Sequence, residues 1–267
     1  MYNVHTINVN VTYAVTSRFA VRLTVPFVQA SQSKFFPDTA RHLSRAGGLG
    51  DVGVVGTTWL FDPRTHADGN LAIGAGVKLA TGTDKYDDLY FTSNHSVIHA
   101  PVDQAIEPGD GGWGVILQGQ AFRRMSERTF AYFTGSYLLS TRNHSDVPRD
   151  PGSAVLYSIP DVYSGRVGVG YTVSRDHGIT IGLGGRIDGI PYHDLIGGSE
   201  GFRRPGYAAF VDPGVAVERG RTAVTISVPV RIAQRLATSQ MTTASGGTIG
   251  AGDLAKVVFF VAYARRI

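Results

Sequence analysis

The stretch TAVTISVPVRIAQ, residues 222–234, places an apolar side chain at every second position. The alternating residues are Val224, Ile226, Val228, Val230 and Ile232, with Thr225, Ser227, Pro229 and Arg231 between them. Since successive side chains of a β-strand point to opposite faces, one face of this strand is wholly apolar and the other carries a cation. In a soluble sandwich the apolar face would meet a protein core. In an outer-membrane barrel it would meet lipid, and the arginine would line a lumen.

The composition of the chain favours strands and argues against several other classes of protein. Val and Ile dominate the aliphatic residues, and they are mixed with Thr, Tyr, Phe and many glycines. No apolar run approaches the roughly 18 residues of a transmembrane helix. Cysteine is absent, so we predict no disulfide, no thiolate chemistry, no metal site and no cofactor. The net charge of +4 comes mainly from arginines scattered without a basic block, so we expect no nucleic-acid partner.

Eleven segments are predicted as strands from their alternating pattern and turn-forming borders. They are residues 3–15, 18–29, 51–61, 70–81, 113–125, 129–140, 161–174, 179–190, 206–218, 222–235 and 254–267. The connections alternate between short ones at 16–18, 63–70, 126–128, 175–178 and 219–222 and long polar ones near 30–50, 82–112, 141–160, 191–205 and 236–253. Tight periplasmic turns and long external loops alternate in this way in membrane barrels, whereas Greek-key sandwiches mix their loop lengths. We therefore predict a transmembrane antiparallel up-and-down β-barrel, with residues 1–267 forming a single outer-membrane domain.

The strand count and two prolines carry further expectations. Eleven strands place the chain ends on opposite sides of the membrane, whereas bacterial single-chain barrels have an even number of strands. We therefore expect a complete barrel of about twelve strands, with one N-terminal strand and the signal peptide missing from this sequence. Pro26 and Pro229 lie inside strong strand patterns. Because proline has no N–H for the ladder, we expect local bulges or kinks there.

Charged residues on the polar faces of the strands are the candidate functional residues. We assign to a lumen, as lining or selectivity residues, Lys78, Arg166, Arg186, Asp188, Asp212 and Arg231. Arg22 and Asp51 share this orientation. At mid-depth in lipid such charges are costly, but inside a barrel they can pair and meet water. A purely structural lining and a constriction that selects solutes remain alternatives.

The string GGSEG at 197–201 fits the G-x-S-x-G pattern of a hydrolase nucleophile, with His193 and Asp194 nearby. That pattern works because its serine lies on a sharp turn between a strand and a helix. Here the string lies in a predicted external loop, and no helix is predicted after it. We therefore predict no catalytic residue and no enzyme activity, and we keep a hydrolase using Ser199 and His193 as an alternative.

Several longer strings resemble the family of outer-membrane proteins called MetA-pathway of phenol degradation. They are DVGVVGTTWLFDP (51–63), NLAIGAGVKLATG (70–82), VDQAIEPGDGGWGVILQGQAFR (102–123), YSIPDVYSGRVGVGY (157–171) and LGGRIDGIPYHDLIGGSEGFRRPGYAAFVDPGVAV (183–217). The resemblance covers most of the chain, and PGDGGWG and GFRRPGY are its more specific strings. It implies an outer-membrane barrel linked to the uptake of aromatic or other hydrophobic compounds. The chain departs from the family in lacking the usual additional first strand and in ending with Ile267 where an aromatic residue is usual.

Together these features predict an outer-membrane channel or transporter of a Gram-negative bacterium. It would take up small aromatic or hydrophobic compounds passively, in the manner of a porin. Its expected partners are membrane lipid, lipopolysaccharide, the solute and the outer-membrane assembly machinery. Besides the hydrolase, the alternatives are a barrel with a plugged lumen that serves a structural or surface-binding role, and a soluble sandwich.

Overall fold

The computed structural model describes residues 1–238 and 255–267, in which nearly all regular structure is antiparallel strand. The strands in the first half are β1 (Tyr2–Ala14), β2 (Phe19–Phe35), β3 (Arg41–Leu49), β4 (Gly53–Trp59), β5 (Gly69–Lys78), β6 (Asp87–Phe91), β7 (Val97–Pro101), β8 (Gly114–Arg124) and β9 (Thr129–Ser140). Those in the second half are β10 (His144–Pro148), β11 (Leu156–Ser158), β12 (Val162–Ser174), β13 (Ile179–Ile190), β14 (Gly206–Arg219), β15 (Thr222–Ser227), β16 (Val230–Leu236) and β17 (Phe260–Arg265). A 3₁₀ turn, Gln104–Ile106, lies between β7 and β8.

One large sheet dominates the molecule. Its order is β1-β2-β4-β5-β8-β9-β12-β13-β14-β15-β17, and neighbouring strands are antiparallel throughout. β3 and β4 share one position in the sheet, because they pair with successive parts of β2. β15 and β16 likewise share one position beside β14, so the described strands fill eleven positions. The sheet curls into a half-barrel, which confirms the predicted all-β, antiparallel, up-and-down barrel architecture. Among the described residues β1 and β17 are its edges, and the expected twelfth strand stays a prediction.

Three of the segments predicted as long loops contain strands instead. Residues 30–50 are mostly strand, because β2 continues to Phe35 and pairs with β3 up to Leu49. The loops near 82–112 and 141–160 each contain a small hairpin, β6–β7 and β10–β11. The sequence did not indicate these strands because their apolar and polar residues do not alternate regularly, so no apolar face marks the period of two. The loop predicted at 236–253 lies mostly outside the described residues.

Both prolines coincide with a change of partner in the sheet. At Pro26 the neighbour of β2 changes from β4 to β3, and Gly50 N–H donates to Pro26 O at 2.8 Å. Pro229 separates β15 from β16, and Val258 N–H donates to Pro229 O at 3.0 Å. Each proline carbonyl is used, but each ladder is interrupted on the side where an N–H would be required. The expected local irregularities are present at both positions.

The apolar faces of the strands are exposed and do not pack into a core. On β12, Val167 and Val169 are 59% and 48% exposed, and on β13 Leu183 is 55% exposed. The buried clusters lie among the long loops, where Ala30 packs with Ile106, and Tyr157 packs with Phe202. In the part of the chain that is described, no helix is both long and apolar enough to span a lipid bilayer.

Candidate functional site

A cavity of about 190 Å³ lies against one face of the large sheet, and its position shows which face is concave. Six adjacent strands contribute to its wall: Arg22 of β2, Thr57 of β4, Gly74 of β5, Gln118 of β8, Thr134 of β9 and Ser164 of β12. A face shared by six adjacent strands can enclose a cavity only where the sheet curves around it. The polar face of the strands is therefore the concave face, and the exposed apolar residues lie on the convex face.

All six candidate lumen residues lie on the concave face. Residues directly opposite in an antiparallel pair share a face, and Thr134, which borders the cavity, is paired with Arg166. On the next strands the successive cross-strand partners of Arg166 are Arg186, Phe210 and Arg231, which therefore share this face. Asp188, Asp212 and Lys78 lie an even number of residues from Arg186, Phe210 and Gly74 in the same strands, so their side chains point to the same face. Their role in solute selectivity stays a prediction.

Arg166 and Asp212 form an ion pair that crosses a strand. Arg166 lies on β12 and Asp212 on β14, and Nε of the arginine is 2.5 Å from the carboxylate across β13. Asp212 is fully buried, and the Arg166 guanidinium also lies 5.2 Å from the centroid of the Tyr132 ring. Tyr132 reaches over Gly184 of β13, where a Cβ atom would lie 2.8 Å from the tyrosine oxygen. The missing side chain of Gly184 thus makes room for Tyr132 beside this pair.

The other concave charges nearer the long loops are also engaged. Arg186 Nε donates to Asp188 at 2.7 Å, and the Arg186 guanidinium lies 4.6 Å from the ring centroid of Phe260. The side chain of Arg231 donates to the side chain of Gln234, three residues further on. These contacts keep the guanidinium groups along the wall of the sheet.

Lys78 attaches a long loop to the wall. Its Nζ lies 2.9 Å from Asp51 and 2.5 Å from Asp110, which belongs to the segment between β7 and β8. Asp51 also accepts hydrogen bonds from the N–H groups of Gly82 and Asp110, at 2.9 and 3.3 Å. Burial raises the pKa of the Asp110 carboxyl, although the neighbouring Lys78 acts in the opposite direction. Lys78 is therefore the cation of a partly buried three-residue cluster that fixes this loop inside the mouth of the sheet.

Two consecutive arginines that sequence reasoning did not single out hold the remaining loops. Arg203 donates to both oxygens of Asp194, at 2.7 and 2.6 Å, and both side chains are almost completely buried. Arg204 donates to both oxygens of Asp103, at 3.2 and 2.9 Å. Burial by itself raises the pKa of each carboxyl, but contacts with the guanidinium and with backbone N–H groups outweigh burial and lower both pKa values. The only signal in the sequence was the position of these residues in the strings GFRRPGY and VDQAIEPGD.

The hydrogen bonds of the same loops extend to the first two strands. Gln32 of β2 donates to the Tyr2 hydroxyl at 2.7 Å and to Asp103 at 3.4 Å. Gln104 of the 3₁₀ turn donates to the Ser158 carbonyl at 2.8 Å. The loop segments are therefore joined to one another and to the wall, and they form a cap over the concave side.

Ser199 of the GGSEG string occupies a structural turn. It is buried, its φ is 55°, and its Oγ accepts a hydrogen bond from Asp194 N–H at 2.8 Å. The Asp194 carboxylate is already bound to Arg203. The next regular element in the chain is β14, so the strand–turn–helix setting of a nucleophile elbow does not occur here.

A second, larger cavity of about 670 Å³ lies between the cap and the wall. Most of its border is apolar or aromatic and includes Val4, Tyr157, Val162, Ile190, Phe202, Leu236 and Val258. Arg204 and Asp188 are among its charged neighbours, and each has an ionic partner. Small-molecule sites are typically concave, mostly apolar and supplied with a few placed polar groups. This cavity is the candidate binding site of the molecule.

No protein-family model matches this chain, and no curated protein matches it. The resemblance noted from the quoted strings stays an expectation.

Proposed function

We propose that the chain is the β-barrel of a bacterial outer-membrane channel that passes small, mainly apolar solutes down their gradient. The single observation that carries the proposal is the opposite character of the two faces of the curled sheet. Valine, isoleucine and leucine are exposed on the convex face, while Lys78, Arg166 and Asp212 lie on the concave face. Exposed apolar patches larger than a few hundred Å² are rare on soluble monomers, and lipid is the environment that suits this one.

The nature of the solute is inferred from the larger cavity. Its volume of about 670 Å³ lies in the range of small-molecule sites, and aromatic residues such as Tyr157 and Phe202 border it. Aromatic and aliphatic side chains favour a solute with an apolar body. An aromatic compound would fit this wall, which agrees with the expectation from the resemblance. Lipopolysaccharide around the barrel and the assembly machinery during insertion belong to the same proposal.

A barrel with a plugged lumen is the second candidate, and the cap favours it. Lys78 with Asp110, Arg203 with Asp194, and Arg204 with Asp103 tie the loops down at three places. Such a cap could close the path permanently, in which case the protein would bind at the surface or serve a structural role.

Reconstitution into liposomes separates the two candidates. Swelling rates with aromatic acids, amino acids and sugars measure flux, and recordings in planar bilayers measure conductance. We expect flux of the aromatic compounds to exceed that of sugars of similar size. Absence of flux and of conductance for every solute would contradict the channel and favour the plugged barrel.

Lys78→Met provides a sharper form of the experiment. The variant leaves Asp51 and Asp110 close together without their cation, so the loop that carries Asp110 should detach and conductance should rise. Arg124→Met is the matched control, since Arg124 pairs with Asp68 in an exposed position at the opposite end of β8 from the cap. A Ser199→Ala variant with loss of an esterase activity of the native protein would support the hydrolase instead.

A further inference from the structure

The short turns and the adjoining strand ends form a second distinctive surface, at the end of the sheet opposite the cap. This turn rim consists of residues 15–18, 60–68, 123–128, 175–178, 218–221 and 265–267. It contains ten arginines and five carboxylate side chains, so it carries a net positive charge within a chain whose total is only +4. All ten arginines are exposed.

Neighbouring turns of the rim contact one another, through the backbone from Glu218 N–H to Gly178 O at 2.9 Å and elsewhere through side chains. The side-chain contacts are Arg18 Nε to Trp59 O at 3.0 Å, Arg124 to Asp68 at 2.9 Å, Arg175 to Glu127 at 3.1 Å and Arg266 to Glu218 at 2.7 Å. Among the described residues the other six arginines of the rim form no ion pair. They are Arg64, Arg123, Arg128, Arg219, Arg221 and Arg265. The rim therefore presents six exposed guanidinium groups that are available to an anion.

Exposed aromatic rings lie at the same level as the rim. Tyr13 is 71% and Tyr263 is 66% exposed, and Phe61 and Tyr171 are also exposed. Each lies within the rim or no more than four residues from it. Aromatic side chains concentrate where the hydrocarbon core of a membrane meets its headgroups, and they form girdles around membrane barrels at that depth. The rings thus place the six guanidinium groups at headgroup level.

We propose that the turn rim binds the phosphate groups of anionic phospholipids in the adjacent leaflet. Guanidinium groups bind phosphate through paired, charge-assisted hydrogen bonds, and six unpaired ones around one rim would meet several headgroups at once. A basic side chain near an anionic membrane surface strengthens binding by about fivefold. This inference rests on the membrane location in the proposed function, but it does not require that the barrel conduct.

The test compares lipid binding by three forms of the full chain, purified in a neutral detergent and stripped of lipid. The rim variant combines Arg64→Gln, Arg128→Gln and Arg221→Gln. The control combines Arg41→Gln, Arg45→Gln and Arg235→Gln, which remove equal charge from exposed arginines near the cap that form no ion pair within the described part of the chain. Titration with phosphatidylglycerol, phosphatidylcholine or inorganic phosphate, followed by the thermal unfolding midpoint, gives an apparent affinity for each probe.

We expect native protein and the control to bind phosphatidylglycerol at least about tenfold more tightly than phosphatidylcholine, and the rim variant to lose that preference. Equal binding of the two lipids by native protein would overturn the inference. So would an equal loss in the control, or protection by inorganic phosphate as strong as that by phosphatidylglycerol.

Solute flux in liposomes of pure phosphatidylcholine distinguishes this failure from failure of the channel. The rim variant should conduct like native protein there, because that membrane has no anionic lipid to lose. If native protein shows no flux while its phosphatidylglycerol preference still depends on the rim, the channel proposal fails and the lipid surface stands.

Discussion

The two ends of the sheet use charged residues in opposite ways. The loop end, residues 32–47, 80–112, 141–161, 191–206, 234–238 and 255–257, contains twelve carboxylates and ten basic residues within the described chain. There Arg203 and Arg204 point inward and hold two carboxylates in bidentate pairs. At the turn rim, Arg64 and Arg128 are exposed and form no ion pair with any residue that the structure describes. The same residue type therefore fixes the chain at one end and remains available to an external anion at the other.

The difference follows from burial. A buried carboxylate without a cation is costly, so Asp194 and Asp103 of the cap need Arg203 and Arg204. An exposed arginine is solvated by water, and its pairing contributes little to stability. Substitutions should therefore have large effects on folding at the loop end and small ones at the turn rim.

The largest effect is expected from Arg203→Ala. It leaves the Asp194 carboxylate, which is 3% exposed, without its cation, and such a loss costs about 3–5 kcal/mol. The free energy of unfolding by guanidinium chloride in vesicles of pure phosphatidylcholine measures it. Arg64→Ala at the rim is the control, with an expected change within about 0.5 kcal/mol. Similar changes for the two variants would contradict the contrast between the ends.

A pH-dependent loss of stability is expected from Glu107, which lies directly after the 3₁₀ turn. Burial, together with repulsion from Asp84 and Asp103, raises the pKa of this carboxyl to about 9. Because the folded state holds its proton more tightly than the unfolded state, stability falls as pH rises from about 4.5 towards 9. We expect a loss of about 1–3 kcal/mol over that range.

Glu107→Gln removes the titrating group and should flatten this part of the stability curve, which can be measured as the unfolding midpoint in denaturant from pH 5 to pH 9. Glu127→Gln at the turn rim is the matched control, and it should leave the slope unchanged. An identical slope in native protein and Glu107→Gln would exclude Glu107 as its cause.

A smaller effect is expected from Asp103→Asn. The variant keeps the shape of the side chain but removes the charge that Arg204 faces, and Arg204 is partly exposed. We expect a loss of about 1–2 kcal/mol, below that for Arg203→Ala. Thermal unfolding of the reconstituted protein provides the measurement. A loss larger than that of Arg203→Ala would reverse the order of the two pairs.

The smallest effect is expected from Asp68→Asn at the turn rim. Its ion pair with Arg124 is exposed on both sides, and such pairs contribute about 0–1 kcal/mol. Added salt should reduce even this contribution, since exposed charges are screened. Unfolding at low and high ionic strength measures both quantities. A loss that exceeds 1 kcal/mol and persists in high salt would contradict the assignment of the rim as an exposed surface.

The fold could be predicted wherever one face of a strand is apolar. β12 and β13 were recognised because residues such as Val167 and Leu183 recur with a period of two, and the turn at 175–178 separates them clearly. β3 was missed because the sequence RHLSRAGGL lacks that alternation. A period of two in the sequence marks strands that have one face in an apolar medium. It does not detect strands, such as β3, that lie outside that medium.

The site was less predictable for a related reason. Alternation placed Arg166 and Asp212 on one face, but only the register of β12, β13 and β14 brings these two residues together. The pairing of Asp103 with Arg204 joins positions 101 residues apart. No spacing rule within a single sequence connects such residues, because the contact depends on how two loops fold over the same opening.

Pro26 and Pro229 divide the wall near its two margins. The broken ladders occur one position in from each edge of the sheet, at β2 and at the junction of β15 with β16. Six strands between these breaks, β5, β8, β9, β12, β13 and β14, each run without a break. The two interruptions of the ladder therefore lie near the margins of the described sheet, while the central strands pair along most of their length.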